Sequence, residues 1–524
     1  MSFRNLFVKF NFKILLLMLF CTASCLSFGY SFKPLHLLTL FVFLLTVASA
    51  STLSYKILIV FITGISVAYL PIGLTYGPID FNSAVSFFYT DKQESLGFIR
   101  AIPWFYYLGQ SAFIIVAVLI FNLKIEKIKY RKLAILYLVI SFSSTPIRLY
   151  AKNGDITFFS SGIPILRVVT SAIENYREVA KQDAVLVKGL AKPDDWAPTE
   201  VDSHYQLYII VIGESVRSDY MHAYGFPVSN TPFMSTAPGE IFTHYISAAS
   251  STQTSLMNTL ALRRAQQANM NNANMTDAEI NNNVITLAKK AGMATYWYSN
   301  QGSLGDNDTP VAAIGKHAEH FLFLKKGGYL DEEEITDASL LPKIEKGINE
   351  QKKTQLVVIH LMGSHPEACM RTQGRYKEFL QSREISCYSQ SIRQTDKLLS
   401  DVADMAKASG KKWSMIYFAD HGLSFQNAHT QYARLLHGNK YKQNYTVPLF
   451  ITSYDSTRRE INAQPRSALN FLTLFAQWIG VKDNLIKDRC DMRSNTVCDD
   501  QDSIIKFDKN MAQFSTLPAD VPAH

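Results

Sequence analysis

The first 150 residues are almost continuously apolar, whereas the rest of the chain has ordinary polarity. A helix of about 20 residues is needed to cross the ~30 Å core of a bilayer. Five apolar segments approach that length once their flanking residues are included: 14–30, 35–50, 57–75, 101–121 and 133–146. The pattern predicts five transmembrane helices in a domain that covers residues 1–152.

The charges of the short loops indicate how these helices cross the membrane. Three basic residues precede the first segment, and residues 124–132 contain five Lys or Arg residues. Residues 80–94, by contrast, are acidic overall. Basic loops tend to stay in the cytoplasm. The N-terminus is therefore predicted inside, and five crossings place everything after Pro146 outside the inner membrane.

A connector and a second domain follow the apolar part. Residues 153–203 begin with an apolar stretch and continue as an amphipathic helix from Arg167 to about Leu190. Prolines then interrupt the pattern. The second domain is predicted to cover residues 204–524.

Strand-like and helix-like stretches alternate in the second domain. Short, continuously apolar runs are typical of buried parallel strands, and they occur at residues 205–212, 294–299, 355–360 and 413–418. Longer stretches with helical periodicity occur at residues 277–291, 389–408 and 467–478. This alternation predicts an α/β domain with a mostly parallel central sheet.

Charge and cysteine content narrow the function classes. The formal net charge is +8, but much of the basic excess lies near the apolar segments and no long Lys/Arg run follows them. The pattern argues against nucleic-acid binding.

Four of the six cysteines lie in the part predicted to be exported, where disulfides form readily. Of the three possible pairings we favour the local one, Cys369–Cys387 with Cys490–Cys498.

Polar residues directly follow three of the predicted strands. Glu214 follows the first strand, His365 the third, and Asp420 and His421 the fourth. Because ligands of open α/β sheets bind at the carboxyl ends of the strands, these side chains are expected to converge. Carboxylates together with histidine suit Zn²⁺ or a similar ion. The sequence therefore predicts a metal site that supports phosphoryl transfer.

A hydroxyl-rich segment supplies candidate nucleophiles. Residues 247–255 (SAASSTQTS) contain six Ser or Thr residues, and a helix-like apolar run follows at residues 256–262. Thr254 is expected near the start of that helix, where phosphate binds well. The alternative interpretation is a solvated polar loop. Thr254 is the predicted nucleophile, activated by the neighbouring metal.

Taken together, these stretches resemble the phosphoethanolamine transferases that modify lipopolysaccharide. This family belongs to the sulfatase-like branch of the alkaline phosphatase superfamily. The resemblance covers nearly the whole chain, including the five-helix anchor. It is carried by VIGESVRSDYMHAYGFPVSNTPFM, SSTQTSLMN, VIHLMGSHP, FADHGLSF and LLHGNKYKQNYTVPLFI.

The resemblance implies roles for individual residues. The ligands of the catalytic zinc would be Glu214, Thr254, Asp420 and His421, with Thr254 also the nucleophile. His365 and His437 would hold the transferred phosphate or a second zinc, and either would protonate the leaving oxygen. Thr90 and Glu94 match a periplasmic loop motif that lies near the donor lipid.

The implied reaction transfers phosphoethanolamine from phosphatidylethanolamine to lipopolysaccharide, through a phosphothreonine-type intermediate. Leu423 stands where lipid A-modifying members carry Glu, and cysteines that flank their nucleophile loop are missing from the sequence. These departures suggest an inner-core sugar rather than lipid A as the acceptor. Two alternatives are a phosphoglycerol transferase of the same superfamily and a non-catalytic membrane sensor that binds a metal.

Overall fold

The structure, a computed structural model, divides into two compact units. One contains Met1–Phe88 and Ile99–Val179, and the other contains Tyr89–Phe98 and Ala180–His524. The described residues are 3–89, 92–123, 125, 128–153, 162–190, 192–263, 278–302, 309–325, 335–486, 490–498, 501–507 and 510–523.

The first part of the chain is helical. Continuous apolar sequence favours helices here because a helix satisfies its own backbone hydrogen bonds where no water is available. The helices are α1 (Phe3–Ser27), α2 (Pro34–Ala50), α3 (Thr52–Tyr76), α4 (Phe81–Tyr89), α5 (Lys92–Ala101), α6 (Trp104–Phe121), α7 (Arg131–Asn153) and α8 (Pro164–Leu190). All five predicted apolar segments coincide with helices, and α8 confirms the predicted amphipathic helix.

Length and composition set two of these helices apart. Among the described residues, α3 and α6 are long and apolar enough to cross a membrane, and shorter apolar helices cover Phe12–Ser27 and Pro34–Ala50. Five crossings therefore remain a prediction. Of the two predicted donor-lipid residues, Thr90 lies outside the described residues, and so does the side chain of Glu94, whose backbone belongs to α5.

Close packing joins the first helices of the helical unit. A Cβ atom at Gly73 of α3 would lie 2.1 Å from the carbonyl oxygen of Ser27 in α1, so only glycine permits this approach. The fully buried rings of Phe20 and Phe113 stack with their centroids 5.0 Å apart. The Tyr55 hydroxyl donates to the Ile120 carbonyl at 3.2 Å. These contacts connect α1, α3 and α6.

The second unit is an α/β domain. Its helices are α9 (Pro232–Thr236), α10 (Thr252–Leu260), α11 (Val284–Lys290), α12 (Pro310–Lys316), α13 (Leu341–Asn349), α14 (Ala368–Arg371), α15 (Arg383–Ala408) and α16 (Phe471–Ile479). Its strands are β1 (Pro198–Val201), β2 (Leu207–Gly213), β3 (Gly239–Phe242), β4 (Tyr245–Ile246), β5 (Ala261–Arg263), β6 (Ala278–Asn283), β7 (Ala294–Ser299), β8 (His320–Phe323), β9 (Gln355–His360), β10 (Trp413–Ala419), β11 (Ser424–Gln426), β12 (Arg434–Leu436), β13 (Leu449–Ser453), β14 (Arg459–Asn462), β15 (Arg466–Ser467), β16 (Val481–Asp483), β17 (Ser503–Ile505) and β18 (Met511–Gln513).

An eight-stranded sheet forms the centre of this domain, in the order β14-β3-β13-β10-β2-β9-β7-β8. The run from β10 to β8 is parallel throughout, whereas β13 is antiparallel to both of its neighbours. Strands β2, β9 and β10 are buried along their whole length. The structure thus confirms the predicted mostly parallel sheet.

One predicted helix is only half correct. Of the predicted range 277–291, Ala278–Asn283 form strand β6 and Val284–Lys290 form helix α11. The Asn283 side chain accepts hydrogen bonds from the backbone N–H groups of Ile285 and Thr286 and so begins the helix at Val284. Asparagine is a weak helix former but a strong cap. The three consecutive asparagines therefore end a strand rather than extend the helix.

The predicted local disulfides are both present. Cys369 is bonded to Cys387, and Cys490 to Cys498. The first bridge connects α14 to the first turns of α15, close to the strand end that carries His365. Cys21 and Cys25 are free and buried in α1.

Candidate active site

The two central strands bring two carboxylates side by side. Ala419 of β10 lies opposite Gly213 of β2 in the parallel register, so the next residues, Asp420 and Glu214, are neighbours at the carboxyl edge of the sheet. The Asp420 N–H donates to the Gly213 carbonyl at 3.1 Å. Both carboxylate residues are 1% exposed. The sheet thus places Glu214 and Asp420 side by side, although they are far apart in the sequence.

Hydrogen bonds orient Asp420 with one oxygen toward the cluster. Its Oδ1 accepts from the backbone N–H groups of Ser215 at 2.9 Å and His421 at 2.7 Å. Its Oδ2 is buried and has no hydrogen-bond partner among the described residues. A buried, unpaired carboxylate oxygen is costly unless a ligand satisfies it.

The ring of His421 is oriented in the same way. Its Nδ1 lies 2.8 Å from the Gly422 carbonyl, which can only accept, so Nδ1 carries the hydrogen. The lone pair of Nε2 is then available, and this atom lies 3.4 Å from Glu214 Oε1 and 3.5 Å from Asp420 Oδ2. A hydrogen bond from the other ring nitrogen to a carbonyl group commonly fixes the tautomer of a metal-binding histidine.

The three groups perturb each other's pKa strongly. Burial favours the neutral form of Glu214, but the hydrogen bond and charge of His421 hold its pKa well below the usual range. Burial and then the charge of Glu214 raise the pKa of Asp420 well above its usual value. Burial would lower the pKa of His421, yet the two carboxylates raise it to about 9. The cluster therefore suits a cation, which would compensate both carboxylates at once.

The arrangement fits a divalent metal ion. The ligand atoms of Glu214, Asp420 and His421 all lie within 4.8 Å of one another. Tetrahedral ligands about 2.0 Å from a zinc ion are separated by roughly 3.3 Å, which agrees with the 3.4 and 3.5 Å found here. Together with the unpaired oxygen of Asp420, this spacing makes the three residues a credible metal site.

A hydroxyl group completes the cluster, and it belongs to Thr252. Its Oγ1 lies 3.1 Å from Glu214 Oε2, 3.3 Å from Glu214 Oε1 and 3.3 Å from His421 Nε2. Thr252 is the first residue of α10, which begins after the N-cap residue Ser251. Ser255 ties the helix to the sheet, because its hydroxyl donates to the Asp420 carbonyl at 2.6 Å.

The predicted nucleophile, Thr254, lies two residues after Thr252 and is buried in the first turn of α10, near the helix start as expected. Successive residues of an α-helix are rotated by about 100°, so these two side chains leave the helix roughly 200° apart. The hydroxyl of Thr252 is hydrogen-bonded to Glu214, which makes Thr252 a second candidate for the nucleophile.

The two additional histidines lie beside the cluster as expected. The ring centroids of His421 and His437 are 4.9 Å apart, and those of His365 and His437 are 5.5 Å apart. Burial and the neighbouring His421 and His365 lower the pKa of His437 well below its ordinary value. A neutral imidazole beside His421 is able to accept or relay a proton.

A buried ion-pair network supports the loop after β2. Ser215 adopts a φ of 60°, which is unusual for a residue with a side chain. Its carbonyl accepts from the Tyr388 hydroxyl at 2.7 Å, and the same hydroxyl accepts from the Arg217 N–H at 2.8 Å. The fully buried Arg217 pairs with Asp219 at 2.6 Å and with Asp520 at 3.0 Å. These bonds hold the loop in the conformation that points Glu214 at the cluster.

Gln301 is a contact that sequence reasoning missed. Its Nε2 donates to Glu214 Oε2 at 3.0 Å and to the Leu361 carbonyl at 2.9 Å. Its backbone N–H donates to the Ser299 hydroxyl at 3.0 Å. Gln301 follows β7, so its place beside a predicted strand end was the available signal.

Gln301→Ala is expected to weaken metal binding by about 10- to 100-fold, because it removes the donor that orients Glu214. Competition with a chelating dye measures this affinity. Gln206→Ala is the matched control, since Gln206 bonds to the Lys412 N–H at the opposite end of the sheet. Equal metal affinity in the two variants would show that Gln301 does not orient the carboxylate.

Comparisons with known proteins identify the family of this chain. A family profile described as Sulfatase matches residues 206–481. Phosphoethanolamine transferase OpgE of Escherichia coli (strain K12) is 35% identical over 463 residues, which are 87% of this chain and 86% of that protein.

Two solved structures share the fold. Integral membrane protein lipooligosaccharide phosphoethanolamine transferase A (EptA) from Neisseria meningitidis has a TM-score of 0.52 at 15% identity, covering 90% of this chain and 97% of that one. The C-terminal periplasmic domain of EcEptC from Escherichia coli, in complex with Zn, has a TM-score of 0.52 at 16% identity, covering 63% of this chain and 99% of that one. The sequence matches establish the relationship: this chain belongs to the sulfatase family and, within it, to the phosphoethanolamine transferases.

Proposed function

We propose that the chain transfers phosphoethanolamine from phosphatidylethanolamine to lipopolysaccharide, through a covalent intermediate on Thr252. The observation that carries this proposal is the Thr252 hydroxyl, held 3.1 Å from Glu214 and 3.3 Å from His421 within a buried cluster. A hydroxyl among metal-type ligands is the arrangement that nucleophilic phosphoryl transfer needs.

Zinc is the metal that we propose for this site. Glu214, Asp420, His421 and Thr252 would hold it, a set of oxygen and nitrogen donors that zinc accepts. The zinc complex of the EcEptC domain, which has the same fold, supports this choice. When bound, the ion supplies positive charge that favours the ionised hydroxyl and neutralises the phosphate.

In the first half-reaction, the Thr252 oxygen attacks the phosphorus of the donor lipid. A new bond forms between Thr252 Oγ1 and phosphorus while the bond from phosphorus to the diacylglycerol oxygen breaks. The Thr252 proton passes to the neutral His365–His437 pair, and the pair delivers it to the diacylglycerol oxygen, so that diacylglycerol leaves neutral.

In the second half-reaction, an acceptor oxygen replaces Thr252. A hydroxyl or phosphate of the lipopolysaccharide attacks the phosphothreonine from the side opposite Thr252. The bond between Thr252 Oγ1 and phosphorus breaks. The same imidazole pair takes up the proton of an acceptor hydroxyl and delivers it to Thr252 Oγ1, which reverses the first proton transfer. Where a phosphate is the acceptor, Thr252 takes its proton from water. Thr90 and Glu94 remain the residues proposed to contact the donor lipid.

Mass spectrometry of the cell envelope tests this function. Cells with and without the protein are compared after fractionation into lipopolysaccharide and water-soluble glycans. The expected result is a phosphoethanolamine group that is gained on lipopolysaccharide, on an inner-core sugar or lipid A. Phosphoglycerol in its place would favour the phosphoglycerol transferase, a label on the soluble glycans would change the acceptor, and no label on any fraction would favour the non-catalytic sensor.

We also propose that the chain is a multi-pass inner-membrane protein with its catalytic domain in the periplasm. The charge asymmetry of the loops, the apolar helices and the two disulfides support this placement. Alkaline phosphatase, which is active only in the periplasm, is expected to be active when fused after Asp155 and silent when fused at Lys129. The reverse pattern would refute the topology.

A further inference from the structure

An exposed group of aromatic and basic side chains lies next to the candidate site. Tyr376, Phe379 and Tyr432 are 37%, 68% and 48% exposed. Arg375 and Lys377, between and beside the first two, are also exposed. We call these five residues the rim. Isolated exposed apolar side chains are ordinary, whereas neighbouring ones can mark a surface that meets a partner.

Two of the aromatic side chains of the rim lie side by side. The ring centroids of Tyr376 and Phe379 are 6.2 Å apart. The segment that carries Tyr432 is tied to the segment that follows Phe379, because the Ser382 hydroxyl donates to the Ala433 carbonyl at 2.5 Å.

The backbone beneath the rim is well anchored. The Cys369–Cys387 disulfide closes the segment that carries Tyr376 and Phe379. The Leu380 N–H donates to the Ser386 hydroxyl at 2.9 Å, and the Lys377 N–H donates to the Gln390 side chain at 3.2 Å. The segment is thus pre-organised to present its side chains outward.

The charge of the rim is positive. Residues 371–383 contain four basic residues and one acidic residue. That acidic residue, Glu378, is paired with Arg393 at 3.4 Å. The charge left to attract a partner is therefore basic, and its complement is an anionic surface.

The two chain segments that carry the rim are close in sequence to His365 and His437. Arg371, just before the rim, donates to the His365 carbonyl at 3.3 Å. Tyr432 precedes β12, and His437 follows that strand directly. A partner on the rim would therefore lie beside the mouth of the site.

We propose that the rim docks on an anionic phospholipid bilayer and so brings the mouth of the site to the membrane surface. Aromatic rings with basic neighbours are the side chains that prefer the headgroup region of a bilayer. The inference rests on the proposed function, in which the donor is a membrane lipid. The rim then affects the binding of that lipid and not the chemical step at Thr252.

A fluorescence experiment on the full-length chain tests the contact without requiring turnover. Cys21 and Cys25 are replaced by Ser, Phe379→Cys is labelled with an environment-sensitive dye, and the protein is placed in nanodiscs of phosphatidylethanolamine with phosphatidylglycerol. A blue-shifted emission that doxyl-labelled lipid quenches is expected. Ile461→Cys is the matched control, because Ile461 is 66% exposed on strand β14 and the two arginines before it are already engaged, Arg458 with Glu460 and Arg459 with the Met234 carbonyl. Equal emission at the two positions would overturn the proposal.

The lipid composition of the nanodiscs and the kinetics of rim variants provide a second test. Replacing phosphatidylglycerol by phosphatidylcholine is expected to reduce the blue shift. If lipopolysaccharide alone restores the blue shift, the rim binds the acceptor and the proposal fails.

The double variant Tyr376→Ser with Phe379→Ser should raise KM severalfold for donor lipid in nanodiscs. It should leave kcat and the turnover of a water-soluble short-chain donor unchanged. An equal loss with both donors would indicate a structural role instead and overturn the docking model.

Discussion

Thr252→Ala is expected to lower the rate of phosphoethanolamine transfer by about four orders of magnitude or more, because the attacking oxygen is lost. Thr252→Ser keeps that oxygen and should retain part of the activity. The rate is measured with labelled phosphatidylethanolamine and a lipopolysaccharide acceptor. Without acceptor, the wild-type protein should accumulate label on the peptide that contains Thr252, and Thr252→Ala should not.

Thr254→Ala is the control that makes this test decisive. It removes the same hydroxyl from the same helix, but from a position roughly 200° away around the helix axis. It should retain most of the activity. Full activity in Thr252→Ala combined with loss in Thr254→Ala would restore Thr254 as the nucleophile. Thermal unfolding of both variants distinguishes chemistry from misfolding.

Asp420→Asn is expected to remove the metal and, with it, nearly all activity. The amide oxygen of Asn can still accept from the N–H groups of Ser215 and His421, as Oδ1 does now. The change therefore replaces only the unpaired Oδ2 by an amide nitrogen, which is a poor metal ligand. Metal content after dialysis, measured by atomic emission, should fall to background. Chelation of the wild-type protein should abolish turnover, and added zinc should restore it.

Asp396→Asn provides the matched comparison. Asp396 is also 1% exposed and accepts from two backbone N–H groups, those of Phe233 and Met234. It lies on α15, outside the cluster. Asp396 accepts one bond through each oxygen, so its replacement by Asn loses one of them, and any general structural cost of the substitution should be at least as large as at Asp420. Metal loss in Asp396→Asn as well would show that the effect at Asp420 is structural.

The sequence was most informative where burial is complete. The predicted strands at 294–299 and 355–360 coincide with β7 and β9, because a strand covered on both faces is apolar at every position. Glu214 and Asp420 could be predicted as neighbours for the same reason, since parallel central strands end at one edge. The helix predicted at 277–291 failed because local asparagine caps outweighed periodicity.

The first residue of the short helix α10 was harder to predict than the strands of the sheet. Choosing between Thr252 and Thr254 requires the first residue of α10 to be known, and six hydroxyl residues offered several caps. Ser251 as the N-cap places both Thr252 and Thr254 in the first turn, so the cap alone does not choose between them. The position of Gln301 after a predicted strand placed it at the right edge of the sheet, but its contact with Glu214 depends on how the chain turns after β7.

The ion pair between Arg217 and Asp520 joins residues 303 positions apart. Contacts of such long sequence separation form late in folding, because most of the chain must be ordered before they close. Until Asp520 arrives, the buried guanidinium beside the Glu214 loop lacks one of its two carboxylate partners, and an uncompensated buried charge is strongly destabilising. Loss of the last residues, from Asp520 onward, is therefore expected to destabilise the Glu214 loop, although these residues are far from it in the sequence.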